Sequence, residues 1–136
     1  ELQEYDFTVI GTAPISAPTI LYPDENGKYL TGFTTGHLFA CRIADSEEGR
    51  RGSPFTYIGD KSVPTLLIAG TADNLVFPES STRFYEQCKS AGLPCELILS
   101  ENGGHTLEAI DQDKPVTPDF QSTQASIVEF VDALVQ

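Results

Sequence analysis

Compact apolar runs and amphipathic stretches alternate through the second half of the chain. Val63-Pro-Thr-Leu-Leu-Ile-Ala-Gly70 is a continuous apolar run closed by glycine. A run without polar alternation suits a strand covered on both faces, as in a parallel sheet. Residues 71–78 follow as a loop containing Asp, Asn and Pro. Ser80 or Ser81 is then available as the N-cap of a helix. Phe84, Tyr85, Cys88 and Ala91 recur at helical spacing, with the two aromatic rings expected in the core. Gly92, with Pro94 beyond it, marks the end of that helix. Cys95-Glu-Leu-Ile-Leu99 predicts another strand, and residues 100–105 a glycine-rich loop. A final helix is expected over about Phe120 to Val135, with Ile127, Phe130, Val131, Leu134 and Val135 on one face.

The first half is less regular. Phe7-Thr-Val-Ile-Gly-Thr12 reads as a short strand, and the prolines of Ala13-Pro-Ile-Ser-Ala-Pro18 as its end. Residues 19–52 are rich in the breakers Gly and Thr, with Pro23 and Asn26 among them. Within them Leu30 to Ile43 has mixed periodicity and could be helical in part, against the preferences of Thr34, Thr35 and Gly36. The predicted order is strand, irregular insertion, strand, helix, strand, loop, helix. A strand–helix–strand crossover of this length implies parallel pairing and a right-handed connection. The expected class is α/β, with about three parallel strands and flanking helices.

Composition narrows the possible partners. The 136 residues carry 8 Lys and Arg against 20 Asp and Glu, a formal net charge of −12. Such a surface repels phosphate backbones and anionic lipid surfaces, so neither a nucleic acid nor a membrane is an expected partner. No apolar stretch approaches the roughly 18 residues of a membrane-spanning helix. The acidic residues are dispersed, which is the ordinary pattern of a solvated surface. Cys41, Cys88 and Cys95, with two histidines in the chain, fit no zinc spacing, and neither a metal nor a cofactor is expected. Cys88 falls late on the predicted helix and Cys95 at the start of the next strand. A bridge between them and a pair of free buried thiols both remain open. A bridge, with the acidic surface, would suit a secreted or periplasmic protein.

Asp73 and His105 carry the candidate chemistry. Asp73 lies three residues past the glycine that closes one strand, and His105 in the loop after the next. Neighbouring parallel strands open their C-terminal loops at one edge of the sheet, where α/β proteins build their sites. The two side chains are therefore placed to meet. A buried carboxylate fixes an imidazole's tautomer, and the imidazole takes the proton of a hydroxyl nucleophile. Gly103 and Gly104 would let the loop turn sharply before the ring. His37 reads as a surface or insertion residue, and Asn74, Glu79 and Glu101 as turn, capping or surface residues.

Residues 63–73, followed by Val76-Phe-Pro78, resemble the acid-bearing strand and loop of α/β-hydrolases of the esterase/lipase type. In that family Val and Pro are adjacent; here Phe77 intervenes. Phe84 to Leu99 resembles the following helix and last strand, and Asn102-Gly-Gly-His105 the catalytic histidine loop. Tyr5 to Pro18 resembles the strand after the nucleophile's helix. The resemblance implies Asp73 and His105 as acid and base of a Ser-Asp-His triad acting on a small-molecule ester. It also implies residues 1–18 as strand and turn, 19–52 as a lid-like insertion, and 53–136 as the acid- and histidine-bearing part. The prolyl-oligopeptidase type of serine peptidase shares this C-terminal pattern. A dienelactone-hydrolase-like relative with a cysteine nucleophile is a further alternative.

The family's nucleophile elbow is G-x-S-x-G, and no such motif occurs among these residues. Ser16, Ser53, Ser80 and Ser81 all lack its setting. With no methionine and with Glu at position 1, the expectation is the C-terminal half of an enzyme cut upstream. Alone it should be inactive, either a non-catalytic fragment or an interaction module. The open edge of its first strand would then seek the missing N-terminal half or a second copy.

Overall fold

The computed structural model describes residues 7–31 and 47–136. Its elements run α1 (Glu47–Gly52), a 3-10 turn (Pro54–Tyr57), β1 (Thr65–Gly70), α2 (Glu79–Ser90), β2 (Cys95–Ser100) and α3 (Phe120–Leu134). β1 and β2 pair in parallel, from Thr65 opposite Cys95 to Gly70 opposite Ser100, with α2 as the crossover. His37, Cys41 and most of the Leu30–Ile43 stretch lie outside the described residues.

All six residues of β1 are buried, as a continuous apolar run requires. One face presents Leu66 and Ile68 to Leu107, with Ile127 and Phe130 of α3 packed against them. The other presents Leu67 to Cys88 and Cys95, with Phe84 and Tyr85 of α2 alongside. Each of these fully buried aliphatic side chains stabilises the fold by about 1.5–3 kcal/mol. α2 ends as its sequence dictates. Gly92 takes a left-handed φ of +70°, and the N–H groups of Gly92 and Leu93 return to the carbonyls of Lys89 and Cys88.

Three expectations need correction. The first concerns the initial strand: Phe7 to Gly11 form none, and the pairing with β1 lies in Thr12–Ser16. Thr12 and Ser16 donate to the carbonyls of Pro64 and Ile68, while Thr12 and Pro14 accept from Leu66 and Ile68. The rung between these donors falls at Pro14, which has no N–H. Two isolated parallel bridges, at Thr12–Thr65 and Ile15–Ile68, replace a continuous ladder.

The second concerns Ser80 and Ser81, which do not cap α2. Pro78 occupies that position and makes no side-chain cap. Both serines are buried inside the helix, and Ser80 is bonded to Thr19. The third concerns α3. Ile127 and Phe130 face the core, whereas Val131 and Val135 join Val128 among the exposed residues. The sheet beneath α3 is too narrow to cover the whole apolar face. Of the two states left open for the cysteines, the structure has the unbridged one: Cys88 and Cys95 are free thiols in one buried cluster. Burial, and then the neighbouring Cys88, push the Cys95 thiol up to about 12.

Candidate active site

The acid loop is built from short-range bonds. After β1 the chain turns back, with the Asp73 N–H donating to the Gly70 carbonyl at 3.3 Å. Asp73 Oδ1 accepts from the N–H groups of Leu75 (2.8 Å) and Val76 (3.0 Å). This is the turn that an Asp side chain makes with its own following backbone. Its effect is to leave Oδ2 free to point elsewhere while the carboxylate is fully buried.

Oδ2 meets Nδ1 of His105 at 2.9 Å. The two residues that the sequence singled out are thus in direct contact across the C-terminal ends of β1 and β2. When Nδ1 donates to this carboxylate oxygen, Nε2 is the nitrogen left with a lone pair. Among the described residues nothing is hydrogen-bonded to Nε2, and the ring is about one-third exposed, at 37%. A buried acid, an oriented imidazole and an open basic nitrogen are what a general base needs.

Two glycine positions make this approach possible. The Thr71 N–H bonds the Ser100 carbonyl at 3.0 Å and the Ala72 N–H the Gly103 carbonyl at 2.9 Å, knitting the acid loop to the histidine loop. A Cβ on Gly70 would lie 2.2 Å from the Gly103 carbonyl oxygen and 2.4 Å from that of Gly104. Only glycine fits where these backbones touch. Gly104 is similarly crowded, here by the side chains of Glu108 and Ile110.

Beyond the ring, the turn is held from both sides. Leu107 adopts a left-handed φ of 62°, uncommon for a bulky residue, and its side chain is buried against Leu66 and Ile68. Burial of an apolar side chain offsets a backbone cost of about 1 kcal/mol. On the solvent side, the Glu108 carboxylate accepts from the N–H (2.8 Å) and hydroxyl (2.9 Å) of Thr106. Bonds from its own backbone N–H, and then from Thr106, hold the Glu108 carboxyl below the usual carboxylate range.

The irregular first half contributes to the site in a way its sequence did not announce. Thr31 bridges to Val76, and the Phe77 N–H bonds the Leu30 carbonyl at 3.0 Å. Phe77, which intervenes between Val76 and Pro78, thus joins residues 30–31 to the acid loop. Lys28 Nζ lies 5.8 Å from the centre of the Phe77 ring. A cavity of about 320 Å³ opens there, lined by Lys28, Thr71, Asp73, Phe77, Pro78 and Glu79. Thr19 bonds Ser80 through backbone and hydroxyl, and the Leu21 N–H bonds the buried Ser53 hydroxyl at 2.8 Å. Among the described residues, no group of three or more His, Cys, Asp and Glu side chains could hold a metal ion.

The parallel strands, the crossover helix and the acid and histidine loops at one sheet edge define an α/β-hydrolase fold. The chain belongs to the prolyl oligopeptidase family, which it matches over residues 15–123. Solved structures agree on the fold. A truncated carbohydrate esterase from gut microbiota is similar over 94% of this chain and 44% of its own, at 19% identity and a TM-score of 0.69. Esterase 2 of Thermogutta terrifontis with bound propionate is similar over 98% of this chain and 47% of its own, at 24% identity and a TM-score of 0.65. The same esterase phosphonylated by sarin gives 25% identity over 90% of this chain and 43% of its own, with a TM-score of 0.64. The chain therefore spans less than half the length of these structures. No curated protein sequence matches it.

Proposed function

We propose that this chain supplies the acid, Asp73, and the base, His105, of a serine-type hydrolase acting on carboxylic esters. The observation that carries the reading is the 2.9 Å contact between the buried Asp73 carboxylate and His105, with Nε2 left open. In the complete reaction, Nε2 takes the proton of a serine hydroxyl as it attacks the ester carbonyl. Asp73 stabilises the resulting imidazolium, the alcohol departs with that proton, and water releases the acyl group by the same route. The esterase neighbours support an ester substrate.

The serine comes from outside these residues, since the sequence contains no G-x-S-x-G. Its carrier docks along Thr12–Ser16, where Ile15 is exposed, as are Phe7, Val9 and Ile10 just before it. Without that carrier the same edge pairs with a second copy of the chain. The insertion is assigned to residues 19–52, and its described part is anchored through the Thr19–Ser80 and Leu30–Phe77 contacts. The family match favours one second reading, a serine peptidase of the prolyl oligopeptidase type.

Two experiments test the proposal. The 136-residue chain, given a nitrophenyl ester, should show no turnover above background, and it should elute as a self-associated species. Turnover abolished by a serine-directed inhibitor would overturn the external-nucleophile claim, and a cooperatively melting monomer the edge claim. The parent gene should encode G-x-S-x-G within about 40 residues upstream of Glu1, the length of a βα unit. Its product should cleave the nitrophenyl ester faster than a prolyl nitroanilide; the reverse order selects the peptidase.

A further inference from the structure

His105 sits at the tip of a loop whose neck is closed by backbone bonds. The Ile110 N–H bonds the Asn102 carbonyl at 3.1 Å, Gly103 bridges Ala109, and the Gly104 N–H bonds the Glu108 carbonyl at 2.8 Å. Asn102 stands at the start of this neck with a φ of 60°, a conformation that asparagine tolerates better than most residues.

Its side chain does more than tolerate the turn. Nδ2 donates to the carbonyls of Asp111 and Lys114, both at 2.9 Å, and Oδ1 accepts from the Asp111 N–H at 2.8 Å. Two carbonyls on one side and an N–H on the other leave a single consistent orientation of the amide. The backbone N–H of Asn102 donates to Thr71 Oγ1 at 3.0 Å. Thr71 lies in the acid loop, two residues before Asp73. One residue therefore grips the base loop at its neck, the 111–114 turn behind it and the acid loop in front.

We infer that Asn102 is a positioning residue that holds His105 Nδ1 against Asp73 Oδ2, through the three side-chain bonds to the 111–114 turn and the backbone bond to Thr71. Asn102 does not touch the ring; it fixes the neck from which the ring is carried. A neutral hydrogen bond of this kind is a modest stabiliser, but three acting on one neck limit how often the loop swings away. The inference rests on the proposed acid–base role of Asp73 and His105, and the experiment separates the two.

The readout is the His105 Nδ1 proton, observed by NMR in the full 136-residue chain. A ring proton held on a buried carboxylate resonates far downfield and exchanges slowly with water. Asn102→Gly keeps the left-handed backbone accessible and removes all three side-chain bonds. Asn102→Asp keeps the acceptor for the Asp111 N–H and loses both donors. The expected result is a proton that exchanges on the order of tenfold faster or more in Asn102→Gly, with Asn102→Asp between it and the unaltered chain. A merely structural role would lower Tm and leave the exchange rate in folded molecules unchanged, and that result overturns the inference. Should Asn102→Gly not fold, Asn102→Asp and Thr71→Val decide: faster exchange in both supports it, unchanged exchange in both overturns it. Absence of the downfield proton from the unaltered chain would instead sink the acid–base pair itself.

Discussion

The two loops that meet at the candidate site are held in opposite ways. Asp73 is fixed by bonds to Leu75 and Val76, two and three residues along the chain, and is sealed from solvent. His105 is carried on a longer loop whose neck is tied to Thr71, Asp111 and Lys114. The Asp73 carboxylate takes its backbone bonds from the few residues that follow it, while its loop is also tied to Ser100, Gly103 and Leu30. The base's setting depends on distant segments agreeing about where the loop should stand. This division suits the proposed chemistry. There the acid needs only to stay buried and in place, whereas the imidazole must present one nitrogen to the acid and the other to a nucleophile.

The largest test treats the pair as a unit. In an enzyme that contains this chain and a nucleophile, Asp73→Asn and His105→Ala should each lower kcat by roughly 10⁴-fold while the fold persists. Equal losses uphold the pair; a loss confined to His105→Ala breaks it. Next is the junction itself. Gly70→Ala forces a Cβ against two backbone carbonyls and should destabilise by about 3 kcal/mol, measured by urea unfolding. Leu107→Ala empties a core position under the histidine loop and should cost about 2–3 kcal/mol. It should quicken amide exchange in residues 103–109 more than in 71–77. The reverse pattern would mean that the acid loop is the softer of the two.

Smaller effects probe the outer ties. Ser80→Ala removes the hydroxyl that Thr19 contacts and should cost about 1 kcal/mol. The change should loosen the segment around Thr19 and leave the 103–109 loop as it was. The Glu108 carboxyl is held below its ordinary value, so its bonds to Thr106 contribute fully above the unfolded-state value. That contribution is lost as pH falls through the depressed folded value. In an acid titration, amide protection in residues 104–108 should therefore decrease only below the ordinary carboxylate range. Glu108→Gln should flatten the transition. A transition unaltered by that substitution would exclude Glu108 as its source.

What the sequence made legible was whatever is encoded locally. Val63 to Gly70 reads as a buried strand because it is continuously apolar. α2 stops where Gly92 allows a left-handed turn. Asp73 and His105 could be paired because loops after neighbouring parallel strands share one edge. Other features have causes far away in the chain. Ser80 resembled a cap by composition, but its partner is Thr19, 61 positions distant. Val131 and Val135 share an apolar periodicity with Phe130, and nothing in that periodicity tells how wide a surface lies beneath them. Asn102 was visible only as part of a Gly-Gly-His approach, because backbone carbonyls, its main partners, have no side-chain signature. Prolines at 14 and 18 read as an end to regular structure. Pro14 instead sits inside a strand-like segment that lacks one rung, while Pro18 lies beyond its end.

That missing rung has a directional consequence. In a parallel ladder, alternate residues bond to opposite neighbours. Thr12, Pro14 and Ser16 face β1, so Ala13 and Ile15 turn the other way. Pro14 therefore weakens the segment's attachment to its own sheet without blunting its outer edge. The result is a segment with one bond fewer to β1 and with the outward groups of Ala13 and Ile15 unblocked by proline. A strand arriving on that outer edge would act as a splint, supplying from without the continuity that proline denies within.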